Sequence, residues 1–309
     1  MTRPETDRVP TWHPHPSTPR VALPAGACDA HCHVFGPLAR YPFSADSRIR
    51  PGDAPIEQLL ALHRLLGIEH CVIVQSAVHG TDNSVVADAI ARTGGRYRGI
   101  ALVDADVSDA ELRRLDAAGF RGARFNFMTH IPRQAPIESV LALARRLEPI
   151  GWHLQIHCEP PLLDAMAPLL RRSPVPVVID HIARIDASQG VGQPQFRALC
   201  ALMDDPRFHV KVSGCERITR EGWPYRDATP YARLLVERWP DRVFWGTDWP
   251  HPNFDGDPPD DGLLVDNLER IAPSADHLRA LMVDNPARFY GFDRRAVGAV
   301  ADGGAVHDV

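Results

Sequence analysis

No apolar run in the chain approaches the ~20 residues that a membrane span requires. The first 26 residues are polar and proline-rich, without the apolar core of a secretion signal. Both absences point to a cytoplasmic protein with no membrane partner. Cys28, Cys32, Cys71, Cys158, Cys200 and Cys215 include no CxxC pair, so reduced thiols packed as small hydrophobes are expected. No GxGxxG or GxxxxGK[ST] follows any apolar run, which removes the usual cradle for a nucleotide phosphate. The net charge is -5 and the basic residues form no patch, which argues against a nucleic-acid partner. An anionic small molecule would have to be held by individually placed arginines. Oligomeric state has no signature in the sequence.

Within 309 residues, 44% of them hydrophobic, short apolar runs alternate with amphipathic ones. The stretch Ala27 to Pro37 opens the series, and His70–Val74, Tyr97–Val103, Gly122–Phe127, His153–His157, Val175–Asp180, Phe208–Val212 and Arg242–Trp245 continue it. Between them lie helical patterns such as Pro55–Leu66, closed by Gly67, and the capping box Ser108-Asp109-Ala110-Glu111. Continuous apolar strands separated by helices call for a parallel sheet covered by helices. Eight such units at this length favour a single α/β (β/α)8 TIM barrel. The expected organisation is an N-terminal extension over 1–26, the barrel over 27–292 and a tail over 293–309.

In such a barrel the chemistry sits at the C-terminal strand ends. His31 and His33 end the first strand, two residues apart and so on one side of it. His157 ends the fifth strand, His181 follows the sixth and Asp248 the eighth, while Arg124 lies on the fourth, Ser76 after the second and Arg217 after the seventh. One histidine at a strand end is commonly a packed structural ring. Four with an aspartate at matching ends are hard to assign to packing.

His31-Cys32-His33, His157, His181 and Gly246-Thr247-Asp248-Trp249-Pro250 together resemble the amidohydrolase superfamily in its decarboxylase and lactonase branch. Asp29 to Pro37, His79-Gly80-Thr81-Asp82-Asn83, Arg121 to Phe127 and Ile179-Asp180-His181 resemble more particularly the pyrone-dicarboxylate lactonases, over about Pro24 to Tyr290. The resemblance implies hydrolysis of an anionic unsaturated lactone from aromatic-compound degradation. Two positions depart from that pattern: His157 stands where those lactonases carry tyrosine, and His130 where they carry a substrate-binding arginine. Both departures suit the sulfomuconolactone hydrolases, which contain zinc. A metal-free pyrone-type lactonase and a metal-dependent decarboxylase or hydratase are the alternatives.

The resemblance implies one Zn²⁺ held by His31, His33, His157 and Asp248, an N/O donor set suited to that ion. Asp248 would also be the general base, and His181 the donor to the developing oxyanion. Arg124 and Arg217 would clamp the substrate's acid groups, since planar guanidinium pairs bidentately with carboxylate or sulfonate. Ser76, His130, Arg48 and His251 are further substrate-binding candidates. His79 and Asp82 read as residues that fix their own loop, and His13, His15, His63, His70, His153, His209, His277 and His307, which lack strand-end placement, as surface or core.

Overall fold

The computed structural model describes residues 11–47, 49–128, 135–254 and 256–292. Eight segments form strands: Cys28–Cys32 (β1), His70–Val74 (β2), Tyr97–Leu102 (β3), Phe120–Phe127 (β4), His153–Cys158 (β5), Val177–Ile179 (β6), Phe208–Lys211 (β7) and Val243–Phe244 (β8). Each pairs in parallel with the next. The ring closes where Ala30 N donates to Trp245 O at 2.9 Å and Asp248 N to His31 O at 2.7 Å. Only glycine fits at the seam: a Cβ on Gly246 would lie 2.4 Å from His31 N. The (β/α)8 barrel expected from the alternation is therefore the fold.

Helices cover the outside, beginning with Ile56–Leu66 (α1), Ser84–Ala91 (α2) and Asp109–Ala117 (α3). Their ends follow local chemistry. Gly67 takes φ 76 to close α1, and Ser108 accepts from Glu111 N to open α3. Toward the C-terminus two short helices, Asp261–Asp266 and Leu268–Ile271, follow one another. The break falls at Asn267, whose buried side chain accepts from Thr229 Oγ1 at 3.2 Å. None of the helices among the described residues is long and apolar enough to cross a membrane.

A bulge between Asp29 and Cys32 resets the alternation of β1. Below it Cys28 and Ala30 join the apolar filling of the barrel with Val72, Ile100, Val178 and Phe244. Above it Cys32 joins the cluster that includes the α1 side chains, while His31 and His33 stand at the mouth.

The described part of the N-terminal extension is bonded to the loop and helix that follow β8. Thr11 donates to Pro250 O, Ser17 N to Asp260 at 2.9 Å, and Arg20 N to Asp266 at 2.7 Å. Trp12 lies 6.1 Å from Trp249, centroid to centroid. Trp249 is buried under this strap.

Candidate active site

Three side chains from opposite ends of the chain meet at the seam. His33 Nε2 lies 3.1 Å from Asp248 Oδ1 and His31 Nε2 3.5 Å from the same oxygen. His181 Nε2 approaches it to 3.7 Å. Asp248 is in the left-handed region at φ 60, a conformation unusual for a residue with a Cβ. Backbone bonds flank it, its own N to His31 O and His251 N back to its carbonyl at 2.8 Å. Burial alone would raise its carboxyl pKa, but Arg217, His181 and His33 outweigh burial and hold it well below the usual range. It is a carboxylate.

Below this rim lies a polar layer inside the barrel. Asp180 Oδ2 accepts from Arg124 Nε at 2.9 Å and from Gln155 Nε2 at 3.2 Å. Lys211, fully buried, donates to Gln155 Oε1 at 2.9 Å and contacts His31 Nδ1 at 3.2 Å, with Asp180 Oδ1 at 3.6 Å. Burial pushes the Lys211 amine down to about 8, with Asp180 opposing. Asp180 is itself held well below its ordinary value, because Arg124, His31 and Lys211 together exceed the burial cost.

The segment after β6 departs from normal backbone. His181, Ile182, Ala183 and Arg184 all have φ between 47 and 55. A left-handed turn of non-glycine residues costs on the order of 1–2 kcal/mol per residue. The turn leaves His181 Nδ1 3.1 Å from Ser213 Oγ and brings Arg184 into the wall of the cavity. Gly214 makes room for it, since a Cβ there would sit 2.9 Å from the His181 Cβ.

The cavity at the mouth is lined by His33, Ser76, Arg124, Asn126, His157, His181, Arg184, Arg217 and Asp248. The structure thus brings together His33, Ser76, Arg124, His157, His181, Arg217 and Asp248 from the sequence candidates, with His31 just beneath. Arg124 and Arg217, expected as free anion clamps, each spend Nε on a carboxylate, Asp180 and Asp248 respectively. His157 lies outside the donor group formed by His31, His33 and Asp248. Its Nδ1 meets Asn126 Oδ1 at 3.1 Å, and its buried Nε2 has no partner.

His251 corrects an expectation. It is not among the residues lining the cavity, and its ring pairs with Asp261 at 3.1 Å. Arg48 and His130 lie outside the described residues. His79 Nδ1 lies 3.2 Å from Pro42 O, a contact between the turn after β2 and the loop after β1.

Two participants escaped sequence reasoning. Arg184 is the guanidinium in the cavity wall with no hydrogen-bond or ion-pair partner among the described residues; burial and then Arg217 lower its pKa to about 10. It lies three residues past His181, a spacing that reaches the site only through the left-handed turn. Lys211 carried a compositional signal: of the chain's 34 basic side chains it is the only lysine.

The donor atoms of His31, His33 and Asp248 all lie within 4.8 Å of one another. His33 Nδ1 meets Val74 O at 2.7 Å and must donate to it, so Nε2 is the ring nitrogen that faces the carboxylate oxygen. Imidazole nitrogens and a carboxylate gathered at that separation are a donor set that fits a divalent ion.

The profile of the amidohydrolase family (Amidohydro_2) matches residues 28–292. A 2-pyrone-4,6-dicarboxylate hydrolase of Comamonas testosteroni is 42% identical over 288 residues, 90% of this chain and 94% of that protein. A 4-sulfomuconolactone hydrolase of Hydrogenophaga intermedia is 39% identical, covering 88% of this chain and 91% of that one. Among solved structures, one from Pseudomonas putida described as a 2-pyrone-4,6-dicarboxylic acid hydrolase superimposes with a TM-score of 0.75 at 31% identity, over 88% of this chain and 99% of that one.

Proposed function

The chain belongs to the amidohydrolase family, and from that premise we propose that it hydrolyses a small unsaturated lactone bearing two acid groups. The observation that carries this reading is an imbalance of charge. Among the described residues, Arg124, Lys211, Arg184 and Arg217 gather at one barrel end against Asp180, Asp248 and Glu216, the last 3.9 Å from Arg217, and Arg184 in the cavity wall has no ion-pair partner. The acid groups of a substrate supply one.

Asp248 takes a proton from the attacking water and returns it to the ring oxygen as the acyl bond opens. Arg217 holds Asp248 in its weakly basic state before substrate arrives. A substrate acid group that draws on Arg217 loosens this hold and raises the basicity of Asp248 when it is needed. His181, neutral because burial keeps its pKa well below its ordinary value, donates to the oxygen on which negative charge develops. Arg184 and the free ends of Arg124 and Arg217 grip the acid groups. His31, His33 and Asp248 are the residues that would hold a divalent ion, zinc being the one suited to this donor set. Such an ion, when bound, supplies a polarised carbonyl and a more acidic water.

Of the two lactones in the relatives' names, we put 4-sulfomuconolactone first, because His157 places an imidazole in the cavity wall; 2-pyrone-4,6-dicarboxylate is the second reading. A panel of lactones carrying two, one or no acid groups tests the class. Turnover should require acid groups on the ring. Arg184→Gln should raise KM on the doubly charged lactones by about tenfold or more, the scale of one lost charge-assisted contact, with kcat little changed. Equal turnover on uncharged lactones, or release of carbon dioxide in place of a ring-opened acid, refutes the proposal.

A further inference from the structure

Asp29 is fully buried, two residues ahead of His31, and is not among the residues that line the cavity. Its side chain nonetheless gathers four hydrogen-bond partners around the seam. Oδ1 accepts from His31 N at 2.9 Å and from Thr247 N at 3.1 Å, while Oδ2 accepts from Thr247 Oγ1 at 2.6 Å. The fourth partner comes from outside the barrel: His63 Nε2, on α1, lies 3.3 Å from Oδ2. The other nitrogen of that ring, Nδ1, is 2.6 Å from the hydroxyl of Tyr97 on β3, and an imidazole held at both nitrogens cannot turn.

We infer that Asp29 is a positioning residue for Asp248, holding the backbone on both sides of it in the conformation that aims its carboxylate at the mouth; this rests on the reading of Asp248 as the base. Thr247, directly before Asp248, is fixed by Asp29 at both its N and its hydroxyl. The same hydroxyl accepts from Trp249 N at 3.1 Å, so the residue directly after the base is tied in as well. Asp248 donates its own N to His31 O, and His31 N returns to Asp29. The amides of Thr247, Asp248 and Trp249 thus all run to one short stretch of β1, directly or through a single hydroxyl. A left-handed residue with a Cβ, such as Asp248 at φ 60, persists only where its surroundings over-determine it. Asp29 can close on Thr247 because the residue before it is glycine: a Cβ on Gly246 would lie 2.7 Å from Asp29 Oδ1. His63 and Tyr97 brace the clamp against a helix and a strand end that carry none of the chemistry.

The test is Thr247→Val, close in shape but without the hydroxyl, against Thr247→Ser, which keeps it. In folded protein Thr247→Val should lower kcat about tenfold at unchanged KM on a doubly charged lactone, part of the ~100-fold that a ~1 Å misplacement can cost. Thr247→Ser should keep the wild-type rate. A double-mutant cycle locates the effect: added to Asp248→Asn, Thr247→Val should cost nothing further, because no base remains to be misplaced. Unchanged kcat in folded Thr247→Val, an equal loss in Thr247→Ser, or a loss that multiplies with that of Asp248→Asn overturns the assignment, the last by marking a general role in the seam. If Thr247→Val does not fold, Asp29→Asn, which keeps a carbonyl oxygen for the two backbone amides, is read in the same way. Absence of wild-type turnover on every acid-bearing lactone would remove the reading of Asp248 as base and this inference with it, whereas a kcat indifferent to the hydroxyl removes this inference alone.

Discussion

The barrel has buried histidines at both ends, and the two sets do opposite work. At the mouth, His31, His33 and His181 turn ring nitrogens toward one oxygen of Asp248. At the floor, His153 packs against Phe289 and Tyr290 at 4.8 and 5.7 Å, His70 meets Phe292 at 4.7 Å, and the half-buried His209 stacks on Phe244. The same side chain is a polar instrument where carboxylates and arginines share its layer, and a flat aromatic filler where its neighbours are rings. Layer within the barrel decides the role, and layer follows from position along the strand.

The contrast can be broken most severely at the mouth. Asp248→Asn should lower kcat by about 10³ or more in protein that still folds, since it removes the proposed base from the chemical step, and it should lower the melting temperature as well because buried Arg217 loses its carboxylate. Steady-state rates with a thermal melt on the same sample check this. A mild loss of rate would show that another group takes the proton.

The floor should respond in the other currency. His153→Ala removes a ring wedged between Gly122, whose Cβ would come 2.5 Å from it, and the aromatic pair Phe289 and Tyr290. A loss of about 2–4 kcal/mol is expected, by analogy with other large-to-small changes in cores, with kcat/KM nearly preserved once the protein is folded. Chemical denaturation and kinetics on one preparation distinguish the two effects.

The smallest effect is on pH dependence. Burial pushes both His31 and His153 down to about 3 from 6.5, so each stays neutral in the folded protein while the unfolded chain takes up protons. Stability from these groups is therefore complete above about 6.5 and is lost as pH falls toward 3, with a limiting slope of about 1.4 kcal/mol per pH unit per group. In His153→Ala the decline in melting temperature between pH 7 and pH 5 should be shallower than in wild type. An identical slope would mean that His153 is protonated in the native state.

The barrel was legible because its strands are buried on both faces, so their apolar runs are continuous, and because helix ends such as Gly67 and Ser108 carry local signals. Floor and mouth could also be separated, since His153 begins a strand that His157 ends. What could not be read was anything set by backbone of unusual sense. Arg184 reaches the cavity through four left-handed residues containing no glycine. Pairings across the barrel were equally hidden. That Arg124 leans on Asp180 and Lys211 on His31 depends on which inward side chains share a layer, and β1 shifts its own layer by a bulge.

The central claim is that water bonded at the Asp248 end of the barrel attacks the lactone carbonyl. Hydrolysis in H₂¹⁸O of whichever doubly charged lactone the panel identifies, with mass analysis of the product, tests it most directly. One ¹⁸O atom in the newly formed carboxylate is the expected result, absent from the same reaction mixture containing Asp248→Asn. A ring-opened product with no label in that carboxylate would contradict it.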